Sequence, residues 1–356
     1  MNRDTIALYD KEAARWAGAR KPVRRDEATA FAATVPPGAV RVDIGCGAGR
    51  YTNDLGAPVV ALEASMEMLK IARDVAPHAL PVLADVNALP FRGSSVAGAW
   101  AAMTYHHIER ERVPMALADL HASMPVGAWL DLTVAEGDYA GDALPGDDFP
   151  GRYFACWTGE RLAAVVTGAG FDVESVGVSD HDQTHVVARR ARTLADTVGP
   201  DMQVLVCGLN PSIYAADAGA GYARPGNRFW PAAMAAGLVS RDRDPTHAFN
   251  HHRVGMTDLV KRATVAASEL TRDEYRLGAE RVRAMVEWLR PAAVCFVGLA
   301  GYRAAVDRKA VAGWQAELFG GAPVYVMPST SGLNATTGLE ALAAHFAATL
   351  SPPSAA

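Results

Sequence analysis

No run in this 356-residue chain is long and apolar enough to cross a bilayer, which argues against a membrane-spanning protein. The first residues, Met1-Asn2-Arg3-Asp4, lack the apolar core of a secretory leader, so a cytoplasmic, intracellular location is expected. Cysteine is scarce: Cys46, Cys156, Cys207 and Cys295 form no Cys-x-x-Cys pair. That excludes the common zinc and dithiol spacings and predicts reduced, buried thiols. Histidines His247, His251 and His252 have no companion ligands, so no metal is implied. Nor is there an overall excess of positive charge, since the net charge is −5. Residues 1–192 carry 19 Lys and Arg against 25 Asp and Glu, whereas residues 193–356 carry 15 against 14. Any footprint for a polyanion must therefore be a local patch in the second half.

What the chain has in quantity is alternating apolar strands and helices, and its length predicts two domains. Strands are expected at 40–44, 58–62, 80–83, 96–103 and 129–134, with a helix starting at 51–55 and an amphipathic one over 66–75. Segments 173–178 and 185–188 read as a closing antiparallel hairpin. This order predicts a doubly wound, mostly parallel sheet. Arg189-Arg190-Ala191-Arg192 ends the pattern, and the boundary is placed there, giving domains at 1–192 and 193–350. The tail 351–356 is disordered by composition. In the second domain, strands are expected at 204–207, 293–297 and 324–327, with a weaker one near 256–259. One long helix over 271–289 should turn Leu277, Val282, Met285, Val286 and Leu289 to the core and leave Arg276, Arg281, Arg283 and Arg290 solvated. The fold class expected is α/β, with two three-layer αβα domains.

Asp43-Ile44-Gly45-Cys46-Gly47-Ala48-Gly49 follows a strand and opens a helix. Its glycines allow a tight turn and a close approach to a ligand. Arg50 stands where a third dinucleotide glycine would be, which weakens a nicotinamide reading. Glu63 ends the next strand, where a carboxylate can accept from ribose hydroxyls, and Asp85 follows the third, where it could meet an adenine amino group. Together these resemble class I S-adenosylmethionine-dependent methyltransferases over residues 38–190. The resemblance implies that Asp43, Gly45, Gly47, Gly49, Glu63 and Asp85 bind S-adenosylmethionine, or that the domain keeps the fold without the activity. No Pro-Cys dipeptide and no Asn/Asp-Pro-Pro-Tyr/Phe loop is present, so the methyl acceptor stays unknown. In that place stands Met103-Thr104-Tyr105-His106-His107-Ile108, where His106 or His107 is either a general base or a packing group.

In the second half, Gly208-Leu209-Asn210-Pro211-Ser212 and Pro328-Ser329-Thr330-Ser331-Gly332-Leu333-Asn334 each follow a strand directly. Polar, Gly- and Pro-punctuated loops at strand ends are where an open α/β sheet places its chemistry. With Pro225-Gly226-Asn227-Arg228-Phe229-Trp230 between them, they resemble the mismatch-specific (thymine/uracil) DNA glycosylases of the uracil-DNA glycosylase superfamily, over about residues 195–350. The resemblance implies a monofunctional enzyme that flips a base and hydrolyses its N-glycosidic bond, without a cofactor. Asn210 would position the water; no lysine sits in either motif loop to form a Schiff base. Gly208, Leu209, Ser212, Tyr222 and Asn227 would build the base pocket, Tyr222 stacking on the base and Asn227 bracing its loop, with Phe229 and Trp230 in the core. Ser212 replaces a frequent Gly and could crowd a thymine methyl.

Ser331, Gly332, Leu333 and Asn334 would contact DNA, Leu333 either as a wedge or as a core residue. Arg224 and Arg228 are either phosphate contacts or ordinary solvated arginines, and His251-His252 could also approach DNA. Asn334-Ala335 stands where a Ser-Arg is frequent, which loosens the expected dependence on an opposite guanine. The expected partner is double-stranded DNA with a mispaired or damaged pyrimidine, met at the nucleoid. The alternative is a small-molecule methyltransferase carrying a non-catalytic DNA-binding module.

Overall fold

The computed structural model describes residues 1–179 and 181–353. It divides into two compact units, Met1–Thr167 with Phe171–Ala191, and Gly168–Gly170 with the chain from Arg192 onward. The expected tail lies partly outside the described residues.

The first unit opens with α1 (Arg3–Ala19) and α2 (Arg25–Thr34). The Asn2 side chain starts α1 by accepting from Thr5 N at 3.0 Å. Then follow β1 (Arg41–Ile44), α3 (Thr52–Leu55), β2 (Val59–Glu63), α4 (Met66–Val75), β3 (Leu80–Leu83), β4 (Gly98–Ala102), α5 (Val113–Ser123) and β5 (Trp129–Ala135). A short ribbon, β6 (Ala140–Gly141) with β7 (Phe154–Ala155), precedes α6 (Gly159–Gly168), and β8 (Phe171–Ser179) and β9 (Gln183–Arg190) close the sheet. The strand order is β3-β2-β1-β4-β5-β9-β8, with β9 antiparallel to both neighbours, as the hairpin expectation required. Every residue of β1 and β2 is buried, as strands covered on both faces must be. The order in which strands are added reverses between the parallel neighbours β1 and β4, and the carboxyl ends of these strands open the crevice where such folds bind ligands.

The second unit runs β10 (Val204–Gly208), α7 (Ile213–Ala218), α8 (Phe229–Ala235), α9 (Pro245–His252), β11 (Val254–Asp258), α10 (Arg272–Leu289), β12 (Val294–Val297), α11 (Leu299–Ala305), β13 (Gly313–Trp314), β14 (Val324–Met327) and α12 (Leu339–Thr349). Its order is β11-β10-β12-β14-β13, parallel except for β13. Alternate residues face opposite layers. Leu205, Cys207, Phe296 and Val326 pack with Val282 and Val286 of α10, whereas Val206, Cys295 and Met327 pack with Phe229, Trp230 and Phe346. Both units are thus mixed α/β, the second dominated by parallel strands.

The structure corrects two details of α10. Leu277 is exposed rather than core-facing, because the helix touches the end of β11 one residue later. A Cβ on Gly278 would run into the Leu259 carbonyl, so only glycine fits at the contact. Arg281, expected in solvent, turns inward to the buried Asp196, donating from Nη1 to Oδ2 at 2.7 Å. A buried carboxylate demands such partners.

Candidate functional sites

In the first unit, a cavity of about 510 Å³ opens at the ends of β1, β2 and β4. Asp43, Gly45, Gly47 and Glu63 line it together with Met103, His106 and His107. Gly45 and Gly47 have φ of +67° and +54°, which glycine adopts without strain, and the Thr104 side chain fills the space a Gly45 Cβ would need. Glu63 accepts three backbone N–H bonds, from Gly47 at 2.9 Å and from Ala64 and Ser65 at 2.8 Å. Burial nevertheless raises its pKa. Asp43 accepts from Thr52 Oγ1 at 2.7 Å, and burial pushes it up to about 7. Gly49 and Asp85 do not line the cavity among its described residues. A Cβ on Gly49 would stand 3.0 Å from Ala72 Cα, so this glycine serves the packing of α4. Asp85 accepts from the amino group of Met1 at 2.6 Å and from Asn87 N at 2.9 Å.

The histidine pair is tied up internally. His107 Nδ1 lies 2.6 Å from the Tyr153 carbonyl, which can only accept, so Nδ1 carries the proton. Its other nitrogen then offers one lone pair, met by Tyr9 Oη at 2.8 Å and His106 Nε2 at 3.1 Å. The Ala135 N–H occupies His106 Nδ1 at 3.2 Å. Burial depresses both pKa values, that of His107 to about 3. Neither imidazole keeps a free lone pair, which favours the packing role over the general base. Sequence reasoning missed Tyr9, Trp16, Arg152 and Phe154 in the lining. The heptad spacing of Tyr9 and Trp16 on one face of α1 was the available signal.

In the second unit, β10 and β11 end side by side, Gly208 paired with Asp258. The two following loops are zipped together by Leu259 N to Gly208 O and Val260 N to Leu209 O, each 2.9 Å. Asn210 bridges them as well. Its Nδ2 donates to Thr264 Oγ1 at 2.8 Å, Arg262 O at 3.0 Å and Pro211 O at 3.2 Å. Two of these partners are carbonyls, which fixes the orientation of the amide. The Asn210 Oδ1 accepts no hydrogen bond from the described residues. Leu209 turns its side chain into the core beneath. Ser212 caps α7, accepting from Ala215 N at 3.1 Å.

Tyr222 lies parallel to the buried Phe229, ring centroids 4.0 Å apart and planes at 6°. Its φ of +58° is uncommon for a bulky residue. Trp230 Nε1 holds this loop through Gly221 O at 2.8 Å, and Asn227 Oδ1 accepts from Phe229 N at 3.0 Å, in line with the bracing role.

Leu333 is 93 % exposed, so the core alternative is excluded. Its loop is held from within: Asn334 Nδ2 donates to Ser329 O at 2.8 Å, and Ser331 N to Ser329 Oγ at 3.2 Å. Arg228, weighed as a phosphate contact or a solvated arginine, is neither. Its guanidinium donates to the carbonyls of Ser331 at 3.0 Å and of Asn334 and Thr337 at 2.5 Å. The Ser331 carbonyl also accepts from Asn334 N at 3.0 Å, and a planar cation between the three oxygens reaches them all. Gly332 rests against Gly226, where a Cβ would stand 3.0 Å from the Gly226 carbonyl. Arg224 stays exposed. His251 stacks on His247 at 4.2 Å, and His252 Nε2 meets Ser240 Oγ at 2.7 Å.

Comparison with known families agrees with this division. Residues 195–351 match the family model described as the uracil DNA glycosylase superfamily, and residues 42–128 match a methyltransferase domain. The chain therefore carries both kinds of domain. Among similar solved structures, a Burkholderia thailandensis 1,6-didemethyltoxoflavin-N1-methyltransferase with bound 1,6-didemethyltoxoflavin and S-adenosylhomocysteine shares 21% identity. The match covers 52% of this chain and 88% of that one at a TM-score of 0.43. An Aquifex aeolicus S-adenosylmethionine-dependent methyltransferase shares 17% identity over 50% of this chain and 98% of that one, TM-score 0.41.

Proposed function

We propose that the second unit is a monofunctional DNA glycosylase that removes uracil or thymine, mispaired with guanine, by hydrolysis after base flipping. The orientation of Asn210 carries this reading. With Nδ2 spent on three acceptors, the carboxamide presents Oδ1 alone, as a group that aligns a water through its hydrogen must. The C1′–N bond breaks as the water oxygen bonds to C1′, and the base departs with the bonding pair and takes up a proton. An amide oxygen is a poor base, so Asn210 positions the water, and leaving-group departure sets the rate. Phe229 covers one face of Tyr222, and the opposite face would stack on the extruded base, an interaction worth about 1–3 kcal/mol. Leu333 fills the vacated place in the duplex. Lys261, the lysine beside these loops, is held by Asp196 at 2.8 Å and is not a free amine for a Schiff base.

The first unit, in this reading, binds S-adenosylmethionine and serves an acceptor of unknown identity. The cavity lined by Gly45, Gly47 and the carboxylates of Asp43 and Glu63 fits such a group, which supplies an electrophilic methyl when bound. Calorimetry should show binding heat that Glu63→Ala removes.

The deciding experiment incubates G·U and G·T duplexes with the protein and then cleaves with alkali. Scission that Asn210→Ala abolishes supports the proposal. Binding without scission supports the alternative, a methyltransferase with a non-catalytic DNA-docking module.

A further inference from the structure

The cavity of the first unit has two unlike walls. Asp43 and Glu63, at the ends of β1 and β2, carry the only carboxyl groups among its described lining residues. The other wall is cationic. Arg20, Lys21 and Arg24, on the turn between α1 and α2, line it together with Arg152, which precedes β7. Arg20, Arg24 and Arg152 each hold one carboxylate that does not line the cavity: Asp148 at 3.1 Å, Asp131 at 3.2 Å, and Asp147. Lys21 is exposed and has no partner among the described residues. The buried groups of the lining that could take a proton are committed. The lone pairs of His106 and His107 are occupied, and Tyr9 donates to His107 while accepting from Arg152 Nη1 at 2.9 Å. Burial holds the Cys46 thiol protonated. His181 is the exposed imidazole of the lining.

We infer that the methyl acceptor of the first unit is a small carboxylic acid, bound as its anion by Arg20, Lys21, Arg24 and Arg152 and converted to its methyl ester. This rests on the S-adenosylmethionine reading of the cavity and adds to it the class of molecule that is methylated. A cleft lined by one sign of charge concentrates the opposite sign. A carboxylic acid with a pKa near ~4 is ionised at neutral pH, whereas a phenol near ~10 is ionised to about one part in a thousand. An amine arrives as a cation and is repelled by this wall. A carboxylate gives the cations a partner and brings a nucleophile that needs no base. Its oxygen bonds to the methyl carbon as the carbon–sulfur bond breaks and the bonding pair stays on sulfur; the two charges cancel, and no proton moves. The donor's own carboxylate does not use up this wall. Arg50 Nη2 is buried without a partner, and its guanidinium lies 4.5 Å from the Trp16 ring, which rests beside Gly47 on the donor's side. A volume of about 510 Å³ shared by donor and acceptor keeps the acid small, and Phe154 in the lining suits an aromatic body.

The test loads the full chain with S-adenosylhomocysteine and titrates benzoate, phenylacetate and indole-3-acetate by calorimetry, alongside benzyl alcohol and benzylamine. The carboxylates should bind at least tenfold more tightly than the alcohol and the amine. Arg20→Gln combined with Lys21→Gln should weaken the carboxylates about three- to tenfold, with S-adenosylhomocysteine bound as in the parent. With methyl-labelled S-adenosylmethionine, label should pass to the carboxylates as an alkali-labile product, and His181→Ala should keep the parent's pH profile. Equal binding of the alcohol or the amine, carboxylates that do not bind or take no label, or an unaffected double variant overturns the inference while leaving the donor reading intact. A rate that rises with pH in the parent and is lost in His181→Ala makes that imidazole a base and overturns it too. A parent that binds no S-adenosylhomocysteine removes the donor reading and this inference with it.

Discussion

At the scale of single residues, the same side-chain type does different work according to which partners are already committed. Leu333 has none: it is 93 % exposed, so its truncation should leave the melting temperature unchanged. We expect Leu333→Ala to slow uracil release from duplex DNA about tenfold or more, and to leave release from single-stranded oligonucleotide unaffected, because only a duplex has a stack to replace. Arg224, exposed and beside the stacking loop, is the arginine to test for a phosphate contact. Arg224→Ala should lower the slope of log affinity against log salt by about 1, measured by fluorescence anisotropy at several ionic strengths. The sequence placed Asn210 and Leu333 in loops that follow strands, because motif and strand end coincided at both. It misplaced Arg228, since positive charge does not reveal whether unpaired carbonyls lie within reach. It left His106 and His107 open, since only geometry shows that their lone pairs are occupied.

At the scale of elements, the loop carrying Leu333 is fastened to the segment before α8 by Arg228. Arg228→Ala takes a charged donor from three carbonyls, of which Ser331 O keeps the Asn334 N–H, and hydrogen bonds to a charged donor are worth about 1.5–3 kcal/mol each when buried, less where water can substitute. Urea unfolding should show a loss of about 2 kcal/mol, duplex excision should fall, and the salt slope of binding should not change. That last result separates a brace from a phosphate contact. Strands were the most legible elements: apolar runs such as the buried 324–327 and the largely exposed edge strand 80–83 begin and end where the pattern places them. Helix faces were less so. The α10 pattern put Leu277 inward, but close approach to Leu259 required Gly278 at the contact, and packing overrode periodicity. Helices α1 and α2 went unassigned, although α1 supplies Tyr9 and Trp16 to the methyl-donor cavity.

At the scale of the whole molecule, each unit holds one strand-end aspartate with a raised pKa, Asp43 at about 7 and Asp258 at about 6. Unfolded, both would titrate near ~3.9. Their stabilising contribution is fully present below that value and is lost as pH rises through 6 to 7. We therefore expect Asp43→Asn, which cannot ionise, to melt progressively higher relative to the parent as pH rises from 5 to about 7, and the difference then to level off toward 8.5. A difference that is constant across this range would mean that Asp43 titrates near its ordinary value. Both sheets set their candidate sites at the carboxyl ends of parallel strands, and that feature was open to sequence reading because Gly-rich and Asn-Pro turns punctuate the strands there. Carboxyls without partners were not open to it, since an Asp in a strand reads the same whether or not a cation answers it. One consequence follows from the way Arg228 grips its neighbour. The guanidinium holds main-chain oxygens, and the side chains of Ser329, Ser331 and Asn334 hold the rest of the loop, so its shape does not rest on the side chains of residues 333 and 335. In the proposed glycosylase, substituting residues 333 and 335 would alter what the tip offers a nucleic acid without altering where it sits, which would make this loop a ready-made cassette for retuning opposite-strand preference.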